Sequence, residues 1–344
     1  MTPERFETVT RRYANLRIGI VGDFCLDRYL EIDPGKAETS IETGLPVHNV
    51  VRVRSQPGAA GTILNNLVAL GMRAIYPTGF AGEDGEGYEL LRSLREKRGV
   101  KMDYFLQTPE RRTFTYCKPL LLQQGQPPRE LNRLDSKNWT ATPEKVSAQL
   151  AHSIEALAKK IDAIIVLDQV DVPDTGVITR GVMDTIRHIS HAHPQLLIIA
   201  DSRRGLRSFP PVTFKMNAAE LVKLAGKTSA LPLDAVRREA ATLARKNARA
   251  VFVTMAAEGI LGASPSGEIE HVPPLPVRGE IDVVGAGDAV TANLSCALAA
   301  GARLREALEL ANAAGSIVIH QLGTTGTATV EQLRSVLVPP ASTP

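Results

Sequence analysis

The segment Asp282-Val-Val-Gly285-Ala286-Gly287-Asp288 carries the residue types and spacing in this chain that best fit a chemical step. Gly285, Ala286 and Gly287 have little or no side chain, so successive backbone N–H groups can face one concavity. The run that follows, Ala289-Val-Thr-Ala-Asn-Leu, reads as a helix. Those N–H groups then sit at its positive end, a seat for an anion such as a transferring phosphoryl group. Asp288, in the same turn, can take a proton from a hydroxyl while the seat neutralises the developing charge. A glycine-rich helix start with Asp288 as a cap is the plainer reading of the same residues. The chain has no G-x-x-x-x-G-K-[ST] loop and no early G-x-G-x-x-G, which argues against a Walker-type site and against a dinucleotide-binding oxidoreductase.

The elements needed to position such a turn follow from hydrophobic patterning. Leu16–Val21 is a mostly apolar run closed by Gly22-Asp23 and predicts a strand; 58–70 reads as a glycine-rich turn into an apolar helix. Strand 74–80 and helix 85–97 come next, then β character over 102–122 ending in the Gln124–Pro128 turn. Thereafter helices and strands alternate: helix 143–159, strand 163–167, helix 175–190, strand 196–200, strand 213–216, helix 217–225, helix 233–246 and strand 250–254. Helices 285–300 and 303–320 and a short one near 330–337 close the chain. Strands apolar throughout and separated by amphipathic helices predict a mostly parallel sheet covered on both faces, with ligands at the carboxyl ends of the strands. No linker divides the chain, so the expectation is one α/β/α domain over 1–344 with two β excursions, near 28–56 and 102–135.

Composition narrows the function classes. The 344 residues are 44% hydrophobic and 22% charged, an ordinary globular balance. A net charge of +3 from 40 basic and 37 acidic residues gives no footprint for nucleic acid or a membrane surface. Trp139 and the scattered aromatics form no stacking platform. The three cysteines, Cys25, Cys117 and Cys296, lie far apart and make no C-x-x-C pair, which favours a reducing, cytoplasmic setting. The polar, acidic start does not resemble a signal peptide, and no apolar run approaches the roughly 18 to 20 residues of a membrane helix.

The Asp282–Asp288 segment resembles the D-T-x-G-A-G-D signature of the ribokinase/PfkB-like sugar kinases, and other pieces agree in order along most of the chain. Gly22-Asp23-Phe-Cys-Leu-Asp27-Arg28-Tyr29 is similar to the G-D-x-x-L-D-R-Y opening of bacterial D-glycero-β-D-manno-heptose-7-phosphate kinases. Pro57–Gly71, Gly82–Gly87, Glu130–Asp135, Asn217-Ala-Ala-Glu220 and the tail Leu310–Gly315 with Gly323-Thr324 resemble further stretches of that family. The resemblance implies a ribokinase-like α/β kinase that uses ATP and Mg²⁺, with a monovalent cation possible in some members. It implies Asp288 as catalytic base and the amides of Gly285, Ala286 and Gly287 as the anion hole. On the sugar side it implies Asp27, Arg28, Gly58, Ala59, Thr62 and Asn66. On the ATP side it implies Asn217, Thr254, Gly259, Asp282, Asn312 and Gly323, with Glu220 and Asn217 beside the metal. Asn-x-x-Glu is also a good helix cap, and Asn312 among small residues equally fits close helix packing. The β excursions become a lid over the sugar and, as in relatives, a surface for a homodimer.

The chain departs from that pattern mainly on the sugar side. Of the two glycines and the asparagine usual in the first signature, Gly58 is kept, while Ala59 and Thr62 replace the second glycine and the asparagine. Leu167-Asp168-Gln-Val-Asp171-Val replaces an S-D-Y-G-K-G stretch, and Val283 replaces the Thr of the signature. The expectation is therefore intact phosphoryl chemistry facing an altered sugar pocket. The acceptor is a sugar or sugar phosphate, with heptose 7-phosphate one candidate, and Arg28, Arg111, Arg112, Lys118, Arg203 and Arg204 as candidates for a phosphate clamp, Arg28 first. A nucleoside or other small-alcohol kinase, or a silent sugar- or nucleotide-binding member, are the alternatives. No nucleotidyltransferase region follows the kinase pattern.

Overall fold

Eight strands form the central sheet of the computed structural model, which describes residues 1–123 and 125–338. From one edge they run Ile269–Val272, Ile260–Ala263, Val251–Thr254, Thr213–Asn217, Leu197–Ser202, Ala163–Asp168, Arg17–Gly22 and Ala74–Thr78. The six from Val251–Thr254 to Ala74–Thr78 are parallel, and the first two pair antiparallel. Every residue of Ala163–Asp168 is buried, as expected of a strand covered on both faces. One core face packs against helices Ala60–Ala69, Gly85–Arg95, Ala286–Ala299 and Leu304–Ile319. The other packs against Glu144–Ala158, Arg180–Ala192 and Leu233–Asn247. The expected three-layer α/β/α architecture, with a mostly parallel sheet, is the one observed.

The two β excursions join into one smaller sheet. After Gly22 the chain leaves the central sheet and runs on as Phe24–Ile32. That strand pairs antiparallel with Val50–Ala59 on one side and parallel with Phe114–Leu121 on the other. Arg129–Glu130 and Leu134–Ser136 both pair with Phe114–Leu121.

Three details differ from the sequence reading. The helix expected from 175 begins at Arg180, because 175–179 remains irregular and Thr179 Oγ1 caps the helix by accepting the Val182 N–H. The antiparallel pair Ile260–Ala263 and Ile269–Val272 was not anticipated: four-residue strands give too short a pattern to stand out. The N-terminal helix Pro3–Thr10, capped by Thr2 Oγ1, is likewise additional. Of the Gln124–Pro128 turn, Gln124 lies outside the described residues.

Parallel pairing brings the functional strand ends level. Gly22 pairs with Leu167, Leu167 with Asp201, Asp168 with Ser202, and Asn217 with Thr254. The side chains that could do chemistry therefore gather along one edge of the sheet, as an open parallel sheet requires.

Candidate active site

The Asp282–Asp288 turn enters helix Ala286–Ala299 through Gly285, whose φ of +83° is the left-handed conformation that glycine adopts freely. Asp282 anchors the turn: its N–H donates to the Ile319 carbonyl (2.8 Å), and its Oδ1 accepts the Val284 N–H (3.0 Å). No side chain caps the helix, so Asp288 is not spent as a cap. Of the three amides expected in the anion hole, that of Ala286 donates to the Val283 carbonyl at 3.2 Å. The amide of Gly287 lies in the first helical turn, where an α-helix offers no internal acceptor.

Asp288 faces a cavity of roughly 230 Å³. Its near wall is Gly285 and Val284; Ala59, Thr62 and Thr325 form a second wall, and Gln169 and Arg203 a third. The lid closes it with Asp27, Tyr116, Lys118 and Arg133. Gln56, Asp27 and Tyr116 occupy one register row across three lid strands, so their side chains share a face. Gln56 reaches across to donate to Thr325 Oγ1 at 2.7 Å, tying the lid to the C-terminal segment.

Asp27 is only 7% exposed, yet its carboxylate makes no hydrogen bond to another described residue. It is pressed so closely on Gly58 that a Cβ there would lie 2.5 Å from Asp27 Oδ2, which accounts for the glycine. A buried carboxylate with free lone pairs on a cavity is a ready acceptor for sugar hydroxyls. Burial raises its pKa, with Lys118 and Arg133 opposing. Ala59 holds φ +52°, ψ −116°, a conformation costly for any side chain, where relatives of the resembled family carry glycine.

Burial raises the Asp288 carboxyl to about 7; Lys215 pulls it down, while Asp201 and Asp27 add to the rise. A carboxylate poised near neutrality suits a general base. Lys215 is 6% exposed and forms an ion pair with Asp201 at 2.7 Å, and Thr291 Oγ1 also donates to Asp201 (3.2 Å). A Cβ on Gly287 would stand 3.3 Å from Lys215 Nζ, so the ammonium lies directly beneath the glycine turn. Sequence reasoning missed Lys215 and Asp201, which lie within strands Thr213–Asn217 and Leu197–Ser202; a charged residue inside such a strand is the signal that would have found them. It also missed Tyr116, Gln169 and Thr325. Tyr116 was recoverable in part, since alternation puts it on the same strand face as Lys118.

Other expected residues are placed elsewhere. Asn66 is fully buried and does not line the cavity: its Nδ2 donates to the Thr62 and Gly326 carbonyls, binding helix Ala60–Ala69 to the C-terminal segment. Arg28, ranked first for a phosphate clamp, is instead paired with Glu86 and Glu89 of the neighbouring helix. Arg111 donates to the carbonyls of Thr140, Ala141 and Thr175, and Arg204 pairs with buried Asp168 at 2.9 Å. Of the six clamp candidates, Lys118 and Arg203 reach the cavity, joined by Arg133 from the Glu130–Asp135 stretch.

Asn217 and Glu220 form a capping box, each side chain accepting the other's backbone N–H (2.9 and 2.7 Å). The cap and a metal role are compatible. The capping bond occupies Oε2 of Glu220, and Oε1 has no protein hydrogen bond among the described residues. No cluster of three or more His, Cys, Asp or Glu side chains able to hold a metal occurs among them. The donor set therefore fits an ion that keeps its waters and takes phosphate oxygens, as Mg²⁺ does. Thr254 ends the strand beside Asn217, its Oγ1 donating to the Met216 carbonyl at 3.4 Å. Gly259 (φ +85°) makes a tight turn where a Cβ would meet the Val272 carbonyl oxygen at 2.1 Å. Asn312 Nδ2 donates to the Pro273 carbonyl (2.9 Å), and Gly323 (φ +71°) opens on free space.

A three-layer α/β fold with a carboxylate at an uncapped, glycine-rich helix start facing a polar cavity defines a small-molecule phosphotransferase. The profile of the pfkB family carbohydrate kinases matches residues 25–331, and the chain belongs to that family, making it an ATP-dependent sugar kinase. It is 30% identical over 340 residues to the bifunctional protein HldE of Syntrophotalea carbinolica, covering 98% of this chain and 66% of that protein. The HldE of Trichlorobacter lovleyi is 28% identical over 344 residues, with the same coverages. The chain thus spans about two thirds of the length of these curated relatives. Among solved structures, Arabidopsis thaliana ribokinase complexed with ribose and ATP aligns with a TM-score of 0.65 at 18% identity, covering 94% of this chain and 99% of that one. Escherichia coli phosphofructokinase-2 in complex with potassium aligns at 0.69 and 19% identity, covering 93% and 98%. At these identities the structural likeness establishes the fold.

Proposed function

We propose that the chain transfers the γ-phosphoryl group of ATP to a hydroxyl of a sugar phosphate, with Asp288 as general base and heptose 7-phosphate as the leading acceptor. The observation that carries this reading is the composition of one cavity: Asp288 on the helix side, the unpaired Asp27 carboxylate on the lid side, and Lys118, Arg133 and Arg203 around it. Two carboxylates suit a polyhydroxyl acceptor, and Lys118, with Arg133 and Arg203, which are paired with Asp135 and Asp171, suits an anionic substituent on it. A nucleoside base would gain little from such a lining.

In the reaction Asp288 takes the proton as the acceptor oxygen bonds to the γ-phosphorus. The bond from that phosphorus to the bridging oxygen breaks, and ADP leaves with the electron pair. The amide of Gly287 and the Lys215 ammonium beneath it face the charge that develops. Mg²⁺, when bound beside Glu220 and Asn217, would neutralise charge on the nucleotide phosphates. The lid excludes water that would otherwise accept the phosphoryl group. Its outer strand exposes Val51 and Val53 on one face, which supports pairing with a second copy.

The test is ADP release with ATP and Mg²⁺ over a panel of sugars, sugar phosphates and nucleosides. Heptose 7-phosphate, or another sugar phosphate, is expected to be turned over with the highest kcat/KM. Preferential use of unphosphorylated sugars or nucleosides would contradict the acceptor assignment.

A further inference from the structure

Asp23 sits at the point where the chain passes from the central sheet into the lid, and it is 2% exposed. Its backbone carbonyl accepts the Ala60 N–H at 3.1 Å, next to the Ala59–Thr62 wall of the cavity. Its side chain does something different. Oδ2 accepts the backbone N–H groups of Gln169 (2.8 Å) and Val170 (3.3 Å), and Oδ1 accepts that of Val177 (2.7 Å). Both ends of the 169–177 loop are therefore gathered onto one carboxylate, and Gln169 at its start is the residue that lines the cavity. Gly176 is shaped to this contact: a Cβ there would lie 2.3 Å from Asp23 Oδ1.

We infer that Asp23 is a positioning residue for the acceptor, holding the wall that contains Gln169 in register with the Ala59–Thr62 wall. The inference rests on the reading of this cavity as the acceptor site. The loop overlaps the departure at 167–172, where this chain has neither the glycines nor the lysine of the resembled stretch. An irregular loop without regular pairing needs acceptors for its N–H groups, and here a buried carboxylate supplies them. Only a carboxylate can accept at both oxygens; an amide of the same shape presents an acceptor on one side and a donor on the other. Asp23→Asn thus leaves N–H groups at one end of the loop facing an NH₂ group, and the loop separates from the wall opposite. The groups on the nucleotide side, Lys215, Asn217 and Thr254, make no hydrogen bond with this loop or with Asp23.

The experiment pairs two variants, Asp23→Asn and Gly176→Ala, the second disturbing the same contact from the loop side. With heptose 7-phosphate as acceptor, each is expected to raise the acceptor KM about tenfold, with kcat within about threefold and the ATP KM within about twofold, the pattern of lost acceptor binding. The double variant should be no worse than the poorer single one, because both remove one contact. Hydrogen exchange at the amides of Gln169, Val170 and Val177 should quicken in both. If Asp23→Asn does not fold, Gly176→Ala carries the same test. An unchanged acceptor KM, an equal rise in both KM values, or unaltered exchange at these three amides would overturn the inference. Should the wild type turn over no sugar phosphate, the proposed acceptor falls, while the exchange measurement still decides whether Asp23 holds the loop.

Discussion

Asp288 is tuned by opposing neighbours. Burial and the carboxylates of Asp201 and Asp27 raise it, Lys215 lowers it, and the balance lies near 7. As the proposed base, Asp288 would act only when ionised, so kcat/KM for the acceptor should fall as pH drops below about 7, and a pH–rate profile checks this. Lys215→Met removes the charge that favours the ionised form, so the acidic limb should move to higher pH. A shift of about one unit would cost roughly fivefold in rate at pH 7, approaching tenfold at lower pH. A limb that stays in place would show that Lys215 does not tune the base. The same carboxyl has a consequence for stability. Its folded pKa lies above the unfolded value, so the fold binds the proton more tightly, and stability falls as pH rises from about 4 through 7. Asp288→Asn abolishes that loss, and at pH 8 the variant should melt no lower than the wild type by calorimetry.

Among the elements, the turn before helix Ala60–Ala69 stores the clearest strain. Ala59 at φ +52° sits where glycine is favoured. Ala59→Gly should stabilise the fold by about 1 kcal/mol in urea unfolding, after the greater chain entropy of glycine is set against the relieved strain. A lower urea midpoint would mean that the methyl group earns its place in packing. How legible the elements were depended on how locally they are specified. Helix Ala286–Ala299 follows from three small residues before an apolar run, and Ala163–Asp168 from an unbroken apolar stretch. Asp288 and Asp27 could be named because each lies in a turn or strand end with a recognisable local pattern. Arg28 lies in an equally recognisable pattern, but its partners Glu86 and Glu89 are some sixty positions away, so its engagement was invisible. Gln169 carries no local pattern, and Lys215 and Asp201 show only as charges within strands; strand order brings the two to the site.

At the scale of the whole molecule, the lid and the core are joined by polar ties, among them Gln56 to Thr325, Arg28 to Glu86 and Glu89, Ser55 to Glu89 and Lys137 to Asp171. The lid's outer strand leaves Val51 and Val53 exposed on one face. If two copies join there, the wild type should sediment as a dimer, and Val51→Glu with Val53→Glu should sediment as a monomer. A wild-type monomer would confine the lid to covering its own cavity. The central proposal is that Asp288 deprotonates the acceptor. Its most direct measurement is ADP formation by Asp288→Asn with heptose 7-phosphate, alongside nucleotide binding. Turnover should fall by about 100-fold or more, the contribution of a positioned general base, with ATP affinity within about threefold of the wild type. Turnover within a few-fold of the wild type would contradict the assignment.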